Sequence, residues 1–227
     1  MAYSNSPLAT SQINATHFSS RAGDIRKITI HHAACVGVSG RDIARSFTGT
    51  REASANYCIG VDGDICLSVP EKYRAWTSSS RSNDNVAVTI EVANVSGQPE
   101  WAISRESWNA LIALCVDICQ RNGIAELRYT GDETGTLTEH QMFTATECPG
   151  KYLHEHMSEI CNTINKRLYK NPEKRYNEFL ELPEWCKATV QKLLDKDLLR
   201  GTSDGLDLSE DMLRILVILD RGGIFDV

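Results

Sequence analysis

In residues 86–92, with the sequence VAVTIEV, β-branched apolar side chains alternate with an alanine, a threonine and a glutamate. Successive side chains of a β-strand point to opposite faces of a sheet, so the valines and the isoleucine of this segment share one face. Because such an apolar face has to be buried against other elements, Glu91 must point the opposite way. The segment therefore predicts a strand of a sheet that carries a carboxylate on the face away from its apolar core.

Other segments also have strand patterns. Residues 25–30 predict a strand that ends where a His-His pair begins. Residues 57–61 and 65–69 flank an Asp-Gly turn, which is a typical hairpin signal. A short strand is also expected near residues 126–130, before a loop rich in Gly and Thr. Residues 1–24 are polar and are expected to form an arm or a surface loop.

Helical patterns alternate with these strands. Residues 104–122 predict a helix that is capped by Ser104 and ends at Gly123. Another helix is predicted to open at Pro149, and a short one is expected within residues 39–47. The predicted fold class is therefore α/β, with a mixed central β-sheet flanked by helices and a small C-terminal helical appendage.

The C-terminal part differs in composition from the rest. Residues 169–178 are polar and predict a linker, whereas residues 183–199 and 209–221 predict two amphipathic helices. We expect residues 1–170 to form the main domain and residues 171–227 to form a small helical segment. Two helices bury too little surface to be stable alone, so we expect them to pack on the main domain or on a second copy of the chain.

Composition and charge exclude several classes of protein. Hydrophobic residues make up 41% of the chain and charged residues 24%, which are globular proportions. The formal charge is −6 and no basic block stands out, which argues against a nucleic-acid-binding surface. No apolar run approaches the roughly 18–20 residues needed to span a bilayer, so we expect no membrane insertion. No secretory signal is visible at the N-terminus, so we expect synthesis in the cytoplasm without a signal peptide.

The chain contains eight cysteines. A disulfide framework is not expected in a chain of this length without an export signal. Cys115 and Cys119 lie four residues apart in a predicted helix, and Cys35, Cys58 and Cys66 lie in or beside apolar strand-like runs. We therefore expect the cysteines other than Cys148 to be small buried thiols.

His31, His140 and Cys148 are candidate metal ligands. Cys148 directly precedes the helix that opens at Pro149, and the partial positive charge of a helix N-terminus is expected to lower the pKa of a thiol. Two imidazoles and a thiolate leave a fourth tetrahedral position for water, which zinc would acidify. The residues by themselves leave open the alternative that they are structural and bind no metal. A single strand-end histidine is more often structural, and a His-x7-Cys pair is no general zinc pattern.

Five motifs in a fixed order carry a resemblance to a known family. They are ITIHHAA at residues 28–34, SANYCI at 54–59, RAW at 74–76, VTIE at 88–91, and His140 followed by TATECPG at 144–150. The series resembles the type 2 N-acetylmuramoyl-L-alanine amidases, zinc amidases related to phage lysozyme-amidases and to peptidoglycan recognition proteins. The resemblance covers residues 20–168.

The resemblance implies a metal site and a reaction. His31, His140 and Cys148 match the ligands of Zn²⁺ in the family. The family hydrolyses the amide bond between N-acetylmuramic acid and L-alanine in bacterial peptidoglycan. Glu91 matches the acidic residue that activates the attacking water in one branch of the family. Another branch uses a tyrosine, but Ala55 falls at that position here.

Four more residues receive roles from the resemblance or from their neighbourhood. Thr146 takes the place of a lysine that stabilises the oxyanion in many members, and a hydroxyl can donate one hydrogen bond there. Trp76 matches a tryptophan of the family and is either a wall of the substrate groove or part of the core. Asn94 follows the Glu91 strand and is a candidate for binding the stem peptide. His32 is expected to orient or shield the site, because adjacent strand residues point to opposite faces.

Residues 179–227 loosely resemble one S-layer-homology-like unit or the tail of some phage and clostridial amidases. The segment is expected either to target the cell wall or to form a homodimer through its helices. We expect a phage or prophage endolysin that acts on the wall after release. The alternatives are a host autolysin and a peptidoglycan-binding recognition module of the same fold, although recognition-type relatives lack a zinc ligand.

Overall fold

The computed structural model describes residues 3–169, 175–203 and 205–226. The chain divides into two compact units, Met1–Tyr169 and Lys170–Val227. The elements of the first unit are, in chain order, β1 (Ser11–Gln12), β2 (Phe18–Ser20), β3 (Lys27–Val36), α1 (Gly40–Ser46), β4 (Tyr57–Ile59), β5 (Ile65–Leu67), β6 (Tyr73–Ala75), α2 (Arg81–Asp84), β7 (Ala87–Asn94), α3 (Arg105–Asn122), β8 (Leu137–Glu139) and α4 (Gly150–Tyr169). A 3-10 turn, His140–Met142, follows β8 directly.

The central sheet has six strands in the order β1-β5-β4-β7-β3-β8. β3 is parallel to β7 and β8, and β7 is parallel to β4, whereas β5 pairs antiparallel with β4. The carboxyl ends of β3, β4, β7 and β8 therefore lie at the same edge, where α/β proteins usually place their sites. The predicted mixed α/β class, with helices flanking the sheet, is confirmed.

The two faces of the sheet differ in chemistry. One face packs against α3 and α4 in the main apolar core, to which it contributes Ile28, Ile30, Val88, Ile90 and Leu137. The other face carries a buried layer of threonines, and Thr29 on β3 is the register partner of Thr89 on β7 and of Thr138 on β8. Because side chains alternate along a strand, the residue two positions after each threonine lies on the threonine face as well.

Several predicted elements are confirmed. Ser104 caps α3 by accepting a hydrogen bond from the Ser107 backbone N–H, and Gly123 ends the helix in a left-handed conformation with φ 67°. Helix α4 begins at Gly150 and buries the expected apolar stripe against the sheet. The predicted hairpin is present as β4 and β5, and Ile43 of α1 is buried as expected.

The structure corrects three expectations about the strands. β3 does not end at the histidine pair but continues to Val36, because its pairing with β7 extends past the histidines with a register shift before Val36. Residues 126–130 form no strand, since the backbone of Leu127 is hydrogen-bonded to the Asn165 side chain of α4. The strand that completes this side of the sheet is β8. Residues 3–24 are not an arm or a surface loop alone, because β1 and β2 within them pair with β5 and β6.

All eight cysteines are free. Of the seven cysteines that were expected to be small buried thiols, six are buried, but the expectation is wrong for Cys35, which is exposed; Cys148 is buried as well. Cys35 lies in the last part of β3, within the register shift between His32 and Val36, and this irregular stretch turns it out of the core.

The second unit consists of β9 (Arg175–Tyr176), a 3-10 turn (Phe179–Glu181), α5 (Glu184–Asp195), β10 (Leu208–Ser209) and α6 (Glu210–Arg221). Both predicted helices are present, although α5 ends at Asp195 rather than near residue 199. Residues 170–174 of the predicted linker lie outside the described part of the chain, and residues 175–176 form a strand. A small core of its own joins β9, α5, β10 and α6. Among the described helices of the chain, none has both the length and the apolar character that crossing a membrane requires.

Candidate metal centre and active-site cavity

His31, His140 and Cys148 converge at the carboxyl edge of the sheet. His31 projects from β3, His140 is the first residue of the 3-10 turn after β8, and Cys148 comes just before α4. One ligand atom from each of the three lies within 4.8 Å of the others. The Cys148 Sγ atom is 3.6 Å from the His31 Nδ1 atom, and the two imidazole centroids are 4.6 Å apart.

The geometry fits a tetrahedral zinc ion. Bonds of about 2.0 Å to nitrogen and about 2.3 Å to sulfur put the two ligand atoms about 3.5 Å apart at a tetrahedral angle, close to the 3.6 Å between Cys148 Sγ and His31 Nδ1. In addition, the Nε2 atom of His140 is buried and has no hydrogen-bond partner among the described residues. Buried polar atoms are normally satisfied, so this nitrogen indicates a ligand position.

The histidines are held in the form that binds metal. Burial, together with neighbouring His140 and His32, lowers the pKa of His31 well below its usual value. Burial also lowers the pKa of His140. Both imidazoles are therefore neutral at pH 7, as metal coordination requires.

The expectation for the Cys148 thiol is wrong. Its pKa is raised, because burial and the nearby Glu91 carboxylate both disfavour the thiolate. The sulfur lies 3.6 Å from a ring nitrogen of His31 and 3.9 Å from the carbonyl oxygen of His32, and the His32 contact acts in the opposite direction without offsetting burial. Ionisation of this thiol therefore needs a cation close by, which a divalent metal ion would supply.

Glu91 lies next to this cluster. It is the register partner of His31 on the neighbouring strand, so both side chains project from the threonine face. Burial raises the pKa of Glu91 to about 8, while the positive charge of Arg51 acts in the opposite direction. Its Oε2 atom is buried and has no partner among the described residues. The strand prediction that Glu91 points away from the apolar core is thus confirmed.

A cavity of about 280 Å³ opens over the cluster and contains both Glu91 and Thr146. The Oγ1 atom of Thr146 accepts a hydrogen bond from the Cys148 backbone N–H, which leaves the hydroxyl proton of the threonine free to donate. Trp76 forms one wall and is fixed there because its indole N–H donates to Ser19 Oγ at 3.2 Å.

A second cavity of about 410 Å³ adjoins the first along Trp76, and Arg51 lines both. Among the described residues that line the first cavity, Arg51 is the single Lys or Arg. The sequence analysis missed this residue. No periodic pattern marks it, because it lies in the irregular segment between α1 and β4.

Asn94 contacts His32 and Trp101 and does not face the cavity as a residue that binds the stem peptide would. The His32 ring packs against Trp101 at 4.8 Å between centroids, and its Nδ1 atom lies 3.4 Å from Asn94 Oδ1. Asn94 is 0% exposed and donates from Nδ2 to the Trp101 carbonyl oxygen at 2.7 Å. Because its amide is buried and engaged, Asn94 cannot contact a stem peptide in this structure and instead supports His32. His32 itself lies at the cavity wall.

Tyr57 is remote from the site. Its side chain is buried in the core on the α3 side of the sheet, and its hydroxyl donates to Glu71 Oε1 at 2.6 Å. Ala55 is buried as well and offers no polar group. Neither residue brings a phenol into the cavity. The candidate general base that faces the cluster is therefore the Glu91 carboxylate, which lines the cavity.

The fold and the cavity define a protein of the mixed α/β class with a candidate site for one metal ion beside a buried carboxylate. Residues 21–151 match the family Amidase_2, described as N-acetylmuramoyl-L-alanine amidase. The chain belongs to this amidase family, which confirms the enzyme class that the sequence motifs predict.

Solved structures share the fold. A mutant endolysin from Bacillus subtilis matches with a TM-score of 0.52 at 17% identity, covering 68% of this chain and 98% of its own. The N-acetylmuramoyl-L-alanine amidase LysC from Clostridium intestinale matches with a TM-score of 0.51 at 21% identity, covering 68% and 96%. The hydrolase AmiA from Staphylococcus aureus, in complex with its ligand, matches with a TM-score of 0.54 at 18% identity, covering 70% and 82%. No curated protein sequence matches the chain significantly.

Proposed function

We propose that the chain hydrolyses the amide bond between N-acetylmuramic acid and L-alanine in bacterial peptidoglycan, with one zinc ion held by His31, His140 and Cys148. The observation that carries this proposal is the convergence of these three ligands beside the buried carboxylate of Glu91. Family membership supports the bond that is cleaved.

The residues around the cluster divide the chemistry among them. Zinc bound there would acidify a water molecule, polarise the scissile carbonyl and favour the ionised forms of Glu91 and Cys148. Glu91 takes a proton from the attacking water and passes it to the departing nitrogen of L-alanine. The Thr146 hydroxyl donates a hydrogen bond to the developing oxyanion.

Two further side chains shape the groove for substrate. Trp76 supplies a flat apolar wall between the two cavities, against which the substrate packs. His32 also lines the first cavity, limits access to it and is kept in place by Asn94 and Trp101.

We assign catalysis to residues 1–170 and an accessory role to residues 171–227, either wall targeting or homodimer formation. The exposed apolar side chains Ile215 and Ile218 of α6 support an interaction role for this segment. The setting we propose is a phage or prophage endolysin that is made in the cytoplasm and acts on the wall after release, since the fold is shared with an endolysin. A host autolysin is the alternative.

The test combines zinc content with identification of the cleaved bond. We expect about one zinc per chain after purification and, in mass spectra of digested peptidoglycan, stem peptides with free L-alanine amino termini. Stem peptides cut internally would instead indicate a peptidase. Binding without any product would indicate a recognition module of the same fold.

A further inference from the structure

A groove on the second unit lies outside the amidase site. It has a volume of about 400 Å³ and is lined by Trp185 of α5 and by Arg214, Val217, Ile218 and Arg221 of α6. We call it the Trp185 groove. Its floor is apolar, since Val217 is buried in the core of the unit, and the exposed Ile218 adds apolar surface at its edge.

Trp185 is available for a ligand. Its side chain is 45% exposed, although aromatic rings of this size are usually covered. The indole N–H makes no hydrogen bond with any described residue. The ring therefore offers an apolar face and a free donor on the same wall of the groove.

The two arginines give the groove a positive charge within an acidic segment, since residues 171–227 contain 8 Lys and Arg residues against 12 Asp and Glu residues. Arg214 and Arg221 lie seven residues apart on α6, which places them about 10 Å apart along the helix axis on one flank. Arg214 forms an ion pair with Glu210 at 2.7 Å, whereas Arg221 has no ion pair with any described residue. Lys187 and Lys192, by comparison, both contact carboxylates. Arg221 is thus a free guanidinium beside an exposed tryptophan.

We propose that the Trp185 groove binds a peptidoglycan strand, with the face of a sugar ring stacked on Trp185 and a free carboxylate of a stem peptide paired with Arg221. An apolar floor with a few convergent polar groups is typical of sites for small ligands. A guanidinium pairs with a carboxylate through two parallel hydrogen bonds, so it selects an anionic ligand even on an acidic unit. The choice of peptidoglycan as ligand rests on the proposed function.

The experiment measures binding and hydrolysis separately on the full chain. Binding is followed by cosedimentation with insoluble peptidoglycan from which the phosphate-containing polymers have been removed. Hydrolysis is followed on a soluble muramyl peptide that is too small to span both units. We expect Trp185→Ala and Arg221→Gln each to weaken cosedimentation about tenfold, as truncation of a binding hot spot does, and to leave hydrolysis of the soluble substrate unchanged.

The unit offers matched controls for both changes. Leu180 is 87% exposed, and the side chain of Arg200 is 77% exposed; neither lines the groove. Leu180→Ala and Arg200→Gln should bind peptidoglycan as the wild type does. Circular dichroism checks the fold of Trp185→Ala, and Arg221→Gln tests the same groove through an exposed side chain whose loss leaves the core intact.

Three results would overturn the proposal. The first is unchanged cosedimentation of both groove variants. The second is wild-type binding that disappears when the phosphate polymers are removed, which would assign the groove to those polymers. The third is conversion of a dimer to a monomer by the groove variants in sedimentation velocity, which would assign it to a second copy. If the wild type binds through the groove but hydrolyses no muramyl peptide, the groove proposal stands and the proposed function fails.

Discussion

His31 on β3 and Glu91 on β7 are register partners in one parallel strand pair, so an imidazole and a carboxylate lie side by side on the same face of the sheet. The distance between them is therefore set by the backbone ladder rather than by a loop. A strand pair is a rigid support, and residues of a site need such support to hold their relative geometry. Because Glu91 is not one of the three converging ligands, its mutation tests the carboxylate separately from the metal cluster.

Glu91→Gln should keep zinc and lose hydrolysis. The amide has nearly the same size as the carboxylate but cannot accept the proton, and removal of a general base typically costs 10²–10⁴-fold in rate. Zinc content and the rate at which free L-alanine amino termini appear in purified walls are the two measurements. Glu100→Gln, at an exposed glutamate that pairs with Lys151, is the control and should remain fully active. A fully active Glu91→Gln enzyme would remove Glu91 from the mechanism.

The zinc-free protein should become less stable as pH rises, through Glu91. Its pKa is about 8 in the folded chain against an ordinary value of 4.5. Between these two pH values the folded state holds a proton that the unfolded state has released, so the free energy of unfolding falls with pH. The contribution is fully present below pH 4.5 and is lost as pH passes through 8.

The slope of this loss is at most about 1.4 kcal/mol per pH unit for one group. Urea unfolding of zinc-free wild type and Glu91→Gln at several pH values between 5 and 8 isolates it, because both proteins share all other titrating groups. We expect the difference in stability between the two proteins to change steadily with pH. A constant difference would show that Glu91 titrates at its ordinary pKa.

The sequence predicted those parts of the fold that are long and periodic. The strand with Glu91 and the helices α3 and α4 have clear apolar stripes, and their burial follows from these stripes. β8 is different, because it has three residues and is stabilised by pairing with β3, more than 100 residues earlier in the chain. A local pattern cannot reveal a partner at that distance.

The threonine face contains a signal that could have identified β8. Thr29 precedes His31 by two residues, and Thr89 precedes Glu91 in the same way. The pair Thr138 and His140 repeats this spacing, and the Thr29 and Thr138 hydroxyls are 3.0 Å apart under the site. The raised pKa of the Cys148 thiol follows from burial and from Glu91, more than 50 residues earlier in the chain, and no local pattern encodes that approach.

Arg51→Gln should slow hydrolysis without affecting zinc binding. Arg51 brings a positive charge into the cavity where Thr146 offers only a neutral hydroxyl. Loss of a buried oxyanion donor costs roughly 10²–10³ in kcat, and we expect about tenfold here because Arg51 is exposed. Arg51→Lys should restore most of kcat. Arg45→Gln, on the exposed side of α1, is the control. A rise in KM with unchanged kcat would assign Arg51 to ground-state binding instead.

Cys148→Ser should abolish stabilisation by zinc. A ligand that binds only the folded state stabilises it by about 2.7 kcal/mol at one hundred times its dissociation constant. The wild type should therefore melt at a higher temperature with zinc than after treatment with a chelator, and the variant should not. Cys35→Ser is a matched control, since Cys35 lines the same cavity but is not one of the three converging ligands. Equal zinc-dependent shifts in both variants would contradict the ligand assignment.

Gly150→Ala should destabilise the protein and weaken its hold on zinc. Gly150 has φ +84°, and a Cβ added there would lie 2.5 Å from the Cβ of Trp101. A residue with a side chain in this conformation costs about 1–3 kcal/mol, and the clash adds to it. Relief of the clash displaces either Trp101, which packs on His32, or the turn that carries Cys148. Gly49→Ala is the control, because no atom lies within 4 Å of its added Cβ. Urea unfolding and zinc titration of both variants measure the two effects, and a Gly150→Ala protein as stable as Gly49→Ala would show that this close approach is not required.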